Sequence, residues 1–252
     1  MLVVLPPSET KVSGGTEGTA LDIQALGFPR QNPVRESLIA TTIALSADLD
    51  TAKKALKLGV NGDGEVLRNQ QLRSSPLLPA LERYTGVLYD ALGYSELSPT
   101  ERDWVNHHVG VFSALFGLLA ATDPIPAYRL SFDSALPSGK PAKHWKPVVE
   151  DVWADAPGYV LDLRSEGYRA LAPVPENRGV FLSLVKPGPD GSRVALGHAN
   201  KAVKGELVRR LAQTAAQIES LDDFVRWGQS EGYDCDATSL KDGRVDLVMT
   251  GR

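Results

Sequence analysis

An apolar segment that ends at two consecutive prolines constrains the fold of this chain most strongly. Residues 1–5 read Met-Leu-Val-Val-Leu, and Pro6 and Pro7 follow directly. Short runs of valine and leucine favour a buried strand, and prolines end it because they lack a backbone N–H donor. The segment is too short to cross a membrane and lacks the basic start of a signal peptide, so we expect it to be neither. We predict a buried first strand of a sheet.

Helical and extended segments alternate along the rest of the chain without a strict strand–helix–strand rhythm. This alternation predicts a mixed α/β sheet surrounded by helices. Ser98, Pro99 and Glu101 have the spacing of a capping box, which marks a helix start. The other predicted helices are two segments within 32–58, starting at Pro33 and at a capping Asp50, and the segments 65–72, 145–153, 167–171, 201–211 and 221–227. The later predicted strands are 86–89, 109–117, 159–163, the pair 180–185 and 194–197 joined by a hairpin at 187–191, and two final strands joined at Asp242-Gly243.

The length of 252 residues allows one large domain or two small ones. No internal repeat, low-complexity segment or domain boundary is visible. We expect a single domain over residues 1–252, in which residues 20–80 are a candidate helical lobe with a hairpin.

Charge and cysteine content restrict the partners and the compartment. The formal net charge is −4, whereas proteins that coat nucleic acid usually carry an excess of lysine and arginine. A site for DNA or a nucleotide must therefore be a local basic cleft. Cys235 is the one cysteine, so the chain has no intrachain disulfide and no cysteine-based metal site. A reducing cytoplasm fits this content best.

A basic segment late in the chain is a candidate anion site. Its cations are Lys201, Lys204, Arg209 and Arg210. Asn200 could cap a helix whose first N–H groups and lysines face the same way, an arrangement that suits phosphate or carboxylate. Lys201 and Lys204 are the residues on which we base this prediction. The alternative is a solvated helix face, with Arg209 and Arg210 as plain surface.

The loop after the first strand is a second candidate. In open α/β sheets, ligands bind beyond the carboxyl ends of the strands. Ser8 and Thr10 offer hydroxyl groups there, and Lys11 offers a cation. The spacing of a Walker A loop is absent. The alternative for Lys11 is an ordinary surface lysine.

A glycine-containing turn between two predicted helices has the outline of a helix-hairpin-helix element. In such an element, backbone N–H groups hold a DNA phosphate. Gly59, Gly62 and Gly64 supply the glycines, but they do not follow a strand and so form no dinucleotide fingerprint. Asp63 and Glu65 put negative charge beside the hairpin, which favours an ordinary interhelical turn instead.

Arginine–aromatic neighbours and polar strand ends complete the candidates. Arginine binds phosphate in a bidentate manner, and tyrosine can stack on a base. The alternative for each tyrosine is a core position with its hydroxyl satisfied. His107 and His108 are adjacent, and no carboxylate pair stands at ligand spacing beside them, so we expect no metal site. We expect no cofactor. No hydrolase signature is present. The additional candidates are Arg83 with Tyr84 and Tyr89, Tyr128 with Arg129, and Ser165 with Tyr168.

Seven motifs in order resemble the bacterial peroxide-stress protein YaaA family over nearly the full length, with residues 20–80 as the variable part. The motifs are LPPSETK (5–11), RYTGVLYDAL (83–92), FSALFGLL (112–119) with DPIPAYRL (123–130), HW (144–145), LDLRSEGY (161–168), KAVKG (201–205) and SEGYD (230–234).

The resemblance implies one α/β domain of the kind described as a cantaloupe-like fold, with a positively charged cleft. It also implies a cytoplasmic protein that protects against hydrogen peroxide by keeping free intracellular iron low, and that binds DNA through a helix-hairpin-helix element. The chain departs from the family pattern in its lysine-rich run, which is thinned to Lys201 and Lys204. It also has acidic residues in the hairpin and no evident iron ligands, so an effect on iron would be indirect.

Three hypotheses follow. In the first, a stress-response protein binds nucleic acid in the cleft through the cations Lys11, Arg83, Arg129, Lys201 and Lys204, with Tyr89 and Tyr168 stacking on bases. In the second, an enzyme acts on a nucleotide, a nucleobase or a similar small anion, whose anionic part the same cations bind, with Ser8, Lys11 and Tyr168 as catalytic candidates. In the third, the basic cleft of an interaction protein is incidental. A narrow cavity would favour the enzyme hypothesis, and an open groove would favour the nucleic-acid hypothesis. We make no prediction of the oligomeric state.

Overall fold

An eight-stranded sheet forms the centre of the protein. The computed structural model describes residues 1–188 and 192–248. The strands are β1 (Leu2–Leu5), β2 (Leu78–Pro79), β3 (Val109–Ser113), β4 (Gly117–Ala120), β5 (Pro124–Ile125), β6 (Val160–Asp162), β7 (Gly179–Pro187), β8 (Arg193–Ala195), β9 (Asp234–Lys241) and β10 (Arg244–Val248). The strand order in the sheet is β4-β3-β1-β6-β7-β10-β9, with β8 paired to β7, while β2 and β5 form a separate pair.

The middle strands of this sheet are parallel. Strand β1 pairs in parallel with β3 on one side and with β6 on the other, and β7 pairs in parallel with β6 and β10. The edge strands β4 and β9 run antiparallel to their neighbours. All four residues of β1 are buried, as predicted for a central strand that is covered on both faces. The carboxyl ends of β1 and β6 therefore lie side by side.

Helices surround the sheet, which confirms the predicted mixed α/β class. They are α1 (Asn32–Leu45), α2 (Leu49–Ala55), α3 (Asp63–Gln70), α4 (Ala80–Arg83), α5 (Val87–Leu92), α6 (Pro99–His108), α7 (Pro141–Trp145), α8 (Val149–Ala154), α9 (Glu166–Arg169), α10 (Asn200–Gln213) and α11 (Leu221–Ser230). Short 3-10 helices cover Ile23–Ala25, Pro29–Gln31, Tyr94–Glu96, Lys146–Val148 and Gly197–Ala199.

One hydrophobic cluster joins the helices to the sheet. Buried side chains of α1, α3 and α10, for example Leu38, Val66 and Leu207, belong to the same cluster as Val3 of β1. The helical segment within residues 20–80 thus packs on the same core as the sheet. Within the described ranges, the helices fall short of the length and apolar character that a membrane crossing requires.

Local signals predicted several elements correctly. The capping box of α6 is present, because Ser98 Oγ accepts from the Glu101 amide at 3.3 Å and Glu101 Oε2 accepts from the Ser98 amide at 2.7 Å. Asp242 and Gly243 join β9 to β10 with φ angles of 51° and 68°, the left-handed pair that a tight hairpin needs. Strands β7 and β8 also pair as predicted, although residues 189–191 of their predicted hairpin lie outside the described part.

The predicted strand at 86–89 is wrong, because these residues begin helix α5. Gly86 precedes the helix with a φ of 106°, and Leu88 and Leu92 are buried. Helix α10 packs directly on α5. A Cβ atom at Gly205 would lie 2.1 Å from the Leu88 carbonyl oxygen, so only glycine permits this approach. Packing against α10 decides the conformation of this short apolar run.

Other boundaries differ from the sequence prediction. The single strand expected at 109–117 is the hairpin of β3 and β4. Asp48, not Asp50, caps α2 by accepting from the Thr51 amide at 2.8 Å. Asn200 lies in the first turn of α10 and provides no side-chain cap. The helix expected over 145–153 is divided into α7, a 3-10 turn that contains Pro147, and α8.

Candidate ligand-binding cavity

A cavity of about 730 Å³ lies beyond the carboxyl ends of β1 and β6. Strand β6 ends at Asp162, which pairs with Phe181, whereas β7 continues to Pro187. Val185 of β7 pairs with β10 on one side and with Ala195 of β8 on the other, so β8 lies on the β6 side of β7. The cavity occupies the space along β7 between Asp162 at the end of β6 and Ala195 at the end of β8. The lining comes from residues 6–10, 85–89, 131–132, 164–166, 168, 181–184, 195, 197, 200–201, 204 and 244.

The structure brings six of the predicted site residues to this cavity. They come from four separate parts of the chain, which parallel pairing of β1 and β6 and packing of α5 on α10 bring together. The loop after β1, helix α5, the segment after β6 and helix α10 each contribute. The six are Ser8, Tyr89, Ser165, Tyr168, Lys201 and Lys204.

Lys204 is the buried cation of the cavity wall. Its side chain is nearly enclosed, with a residue exposure of 6%, and its Nζ atom donates to the Arg164 carbonyl oxygen at 3.0 Å. Burial lowers the pKa of Lys204 to about 8, and the carboxylates of Asp162 and Glu166 oppose that effect. The ammonium form is therefore present at neutral pH, but it loses its proton more readily than an exposed lysine does.

Two further residues at the start of α10 face the cavity. Lys201 is exposed there, and no hydrogen bond or ion pair joins its side chain to the residues the structure describes. The Oδ1 atom of Asn200 is buried without a hydrogen-bond partner in that same part of the chain. Together they offer an exposed cation and an acceptor without a partner among the described residues.

The segment after β6 is held by a buried ion pair that the sequence did not predict. Arg164 donates from Nε and Nη2 to the two carboxylate oxygens of Asp162, at 2.8 and 2.7 Å, and both side chains have zero exposure. The guanidinium also lies over the ring of Phe112, 4.7 Å from its centroid. Residues two apart in a strand point to the same side, so the Asp-Leu-Arg spacing was the available signal. The pair fixes the carbonyl group that receives Lys204.

Arg244 and Glu166 form a second ion pair on the cavity wall that the sequence did not predict. Arg244, at the start of β10, donates to Glu166 Oε1 at 2.7 Å and to Ser183 Oγ at 2.6 Å. The Glu166 carboxylate thus has an arginine partner of its own. No sequence signal connected residues 166 and 244, which are 78 positions apart.

Two hydroxyl groups form the polar part of the loop after β1. Ser8 Oγ and Thr10 Oγ1 lie 3.1 Å apart, and Thr10 also donates to the Thr85 carbonyl oxygen at 3.3 Å. Gly86 lies against both, since a Cβ atom there would be 3.5 Å from Ser8 Oγ and 3.6 Å from Thr10 Oγ1. The glycine leaves the two oxygens uncovered on the cavity side.

Lys11 lies behind this loop and does not line the cavity. Its Nζ atom donates to the carbonyl oxygens of Ser8, at 2.9 Å, and Glu9, at 3.3 Å. The ammonium also lies 4.2 Å from the centroid of the Tyr128 ring. Burial, and then the nearby Arg129, lower the pKa of Lys11 to about 7. Its observed contacts hold the loop in place from behind.

The remaining predicted residues also lie outside the described cavity lining, and each has protein partners. Arg83 is fully buried and donates to the carbonyl oxygens of residues 12, 14, 76 and 125. Arg129 pairs with Glu9 at 2.9 Å. The Tyr128 hydroxyl bonds to those of Ser113 and Tyr84. Of the five cations in the nucleic-acid hypothesis, Lys201 and Lys204 line the described cavity, whereas Lys11, Arg83 and Arg129 do not.

The turn between α2 and α3 is rich in ion pairs. Lys53 contacts Asp63 at 2.8 Å and Asp50 at 3.9 Å, and Lys57 pairs with Asp133. Lys53 and Lys57 are thus each paired with carboxylates of the protein. Within residues 1–188 and 192–248, no group of three or more histidine, cysteine, aspartate or glutamate side chains is placed to hold a metal ion.

Comparisons with known proteins give a consistent result. The family model described as peroxide stress protein YaaA matches residues 1–239. A UPF0246 protein of Corynebacterium efficiens is 41% identical over 98% of each chain. A UPF0246 protein of Corynebacterium glutamicum is 38% identical over 92% of this chain and 93% of its own. One from Streptomyces coelicolor is 35% identical over 97% of this chain and 95% of its own.

Proposed function

Because the chain belongs to the peroxide stress protein YaaA family, we propose that it acts in the cellular response to peroxide by binding one small phosphorylated or similar anionic ligand. The observation that carries the proposal is the position of Lys201 and Lys204 together on the wall of one cavity. We propose the cytoplasm as its compartment.

The size of the cavity favours a small molecule. Pockets for small ligands and cofactors have volumes of roughly 300–1,000 Å³ and combine apolar walls with a few polar groups. At about 730 Å³, with leucine, phenylalanine and tyrosine side chains beside the lysines, this cavity has both properties. A single ligand fits it better than a nucleic-acid duplex does.

The charges around the cavity favour an anion. Glu166 is paired with Arg244, and Glu9 is paired with Arg129. These two carboxylates are thus compensated, which leaves the charge of the lysines available to a ligand. Partly buried cations attract phosphate or carboxylate more strongly than exposed ones do, because water screens them less.

An effect on free iron would follow indirectly from this activity. The family resemblance implies protection from peroxide by low free iron, yet the described residues offer no cluster of metal ligands. We therefore propose that the ligand, or a reaction on it, links the protein to iron. If the protein is an enzyme, Ser8 and Tyr168 lie at the cavity to take part, and Lys11 would act through the loop that it holds.

DNA binding at the α2–α3 turn is a second candidate function. The predicted outline of helix, turn and helix is observed, and a side chain at Gly59 would meet open space. The pairing of Lys53 with Asp63 weakens this candidate, because a DNA phosphate would have to displace the carboxylate.

Ligand-induced thermal stabilisation tests the proposal. A ligand at 100 times its Kd stabilises the folded state by about 2.7 kcal/mol. Inorganic phosphate, ribose 5-phosphate and a nucleotide panel should raise the Tm of the protein, and Lys201→Gln should weaken that shift. Arg210→Gln, on the same helix but paired with Glu231, is the matched control and should leave it unchanged. An absent shift with every anion, or equal shifts in both variants, contradicts the proposal.

A further inference from the structure

We propose that the ligand of this cavity is a nucleoside monophosphate, with its base against Ser8, Phe132 and Tyr168 and its phosphate at Lys201 and Lys204. This inference rests on the proposed function and specifies the ligand class of the same site.

The hydroxyl pair of the β1 loop faces the cavity as an acceptor. Thr10 has one hydroxyl proton, and it is directed to the Thr85 carbonyl oxygen. The proton between Ser8 and Thr10 must then come from Ser8. Because Ser8 donates its only proton within the loop, its remaining capacity toward the cavity is to accept. In this arrangement, a donor group such as the N–H of a base suits Ser8 better than an anion does.

Gly86 keeps this acceptor accessible to a flat group. A side chain at position 86 would contact both hydroxyl oxygens and cover them. The φ of 106° at Gly86 also disfavours other residues there. The absence of a side chain lets a planar ring approach the pair closely.

Two aromatic rings in the cavity lining provide a stacking surface. Phe132 and Tyr168 meet edge to face, with ring centroids 5.3 Å apart. Phe132 packs on the backbone of Gly167, where a Cβ atom would lie 2.5 Å from its ring, so the ring position is fixed. Burial raises the pKa of Tyr168 to about 12, and the phenol therefore stays neutral. Bases stack on neutral aromatic side chains of this kind.

Helix α10 supplies cations to the cavity wall. Lys204 is held at the Arg164 carbonyl, and Lys201 is next to it on the same helix. Two lysines match a phosphate monoester, which carries up to two negative charges at neutral pH. The Oδ1 atom of Asn200, which has no hydrogen-bond partner among the described residues, would accept from a hydroxyl group such as a sugar supplies. A donor-bearing ring, a hydroxyl-bearing spacer and a phosphate are the parts of a nucleotide.

Calorimetric titration of the full chain separates these parts. The probes are AMP, GMP, CMP, UMP, ribose 5-phosphate and inorganic phosphate. At least one nucleotide should bind tenfold or more tightly than ribose 5-phosphate, which corresponds to about 1.4 kcal/mol. Ser8→Ala and Phe132→Leu should reduce its affinity toward that of ribose 5-phosphate and leave ribose 5-phosphate binding unchanged. Lys201→Gln should weaken the binding of both the nucleotide and ribose 5-phosphate. Ser13→Ala, in the same loop but outside the described lining, should weaken the binding of neither.

Each alternative result overturns the inference in a recognisable way. Equal affinity for nucleotides and ribose 5-phosphate removes the base site and leaves the proposed anion site standing. Tight nucleotide binding that Ser8→Ala and Phe132→Leu do not affect places the base elsewhere. A single-stranded oligonucleotide that binds more tightly than every monophosphate makes nucleic acid the ligand. Binding of none of the probes overturns both this inference and the proposed function.

Discussion

The Nζ atom of Lys204 donates a 3.0 Å hydrogen bond to the main-chain carbonyl oxygen of Arg164. This contact joins helix α10 to the segment that follows β6. Arg164 is itself held by Asp162, so one buried carboxylate indirectly positions the cation of the cavity.

Removal of the Asp162 charge should strongly destabilise the protein. Asp162→Asn leaves the Arg164 guanidinium buried without its counter-charge, and breaking a buried pair costs about 3–5 kcal/mol. Urea denaturation measures the free energy of unfolding. Asp155→Asn, which breaks the partly exposed pair with Arg30, should cost under about 1 kcal/mol. Similar losses of unfolding free energy in the two variants would mean that burial does not increase the contribution of the Asp162–Arg164 pair to stability.

Anion binding should weaken as the pH rises through 8. Burial lowers the pKa of Lys204 to about 8, so its ammonium form is lost over this range, at lower pH than for an exposed lysine. Ribose 5-phosphate is a suitable probe, because phosphate monoesters have a second pKa near 6 and their charge stays constant above pH 7. Calorimetry at pH 7 and pH 9 gives the two affinities. Lys204→Met should bind weakly at both values, and a wild-type affinity that is constant with pH would rule out this role of Lys204.

Lys11 should make the folded state more stable as the pH rises from about 7 to 10.5. Burial lowers its pKa from 10.5 to about 7, so in this window the unfolded chain binds more protons at this lysine than the folded chain does. Stability rises with pH wherever the unfolded state binds more protons. Unfolding of wild type and Lys11→Met in urea, measured across this window, isolates the contribution. The wild type should gain stability relative to the variant; a constant difference contradicts the lowered pKa.

Cys235 should resist hydrogen peroxide in the folded protein. The residue is buried, and burial raises the pKa of its thiol to about 12, with Asp234 and Asp236 adding to the effect. The thiolate, which is the reactive form, is therefore scarce at neutral pH. Mass spectrometry after peroxide treatment should find the thiol unmodified in native protein and oxidised in urea. Rapid sulfenic acid formation in the native protein would instead make Cys235 a peroxide sensor.

Gly205→Ala should separate α10 from α5. The added Cβ atom would lie 2.1 Å from the Leu88 carbonyl oxygen, and overpacking of this kind typically costs about 1–3 kcal/mol. Gly59→Ala, where a Cβ atom meets no atom within 4 Å, is the matched control and should change stability little. Thermal unfolding of both variants gives the comparison. Equal Tm values would show that the helices can move apart without cost.

Features encoded by neighbouring residues were predictable. Strand β1 follows from an apolar run stopped by prolines, and the start of α6 follows from Ser98 and Glu101. The hairpin at Asp242-Gly243 follows from the conformations that these two residues tolerate. In each case the interactions that decide the structure lie within a few positions of one another, so the sequence pattern carries the physical cause.

The candidate functional residues show the same difference between local sequence signals and contacts that form only on folding. Local patterns were enough to predict the α/β class, and residue type with position after a strand or on a helix marked Ser8, Lys201 and Lys204. That these residues meet at one cavity, while Lys11 and Arg83 are held by carbonyl groups of the protein, emerges only in the folded chain. A buried cation binds whichever oxygens lie nearest in space. Parallel pairing of distant strands, and close packing of α5 on α10, select those oxygens from positions far away in the chain.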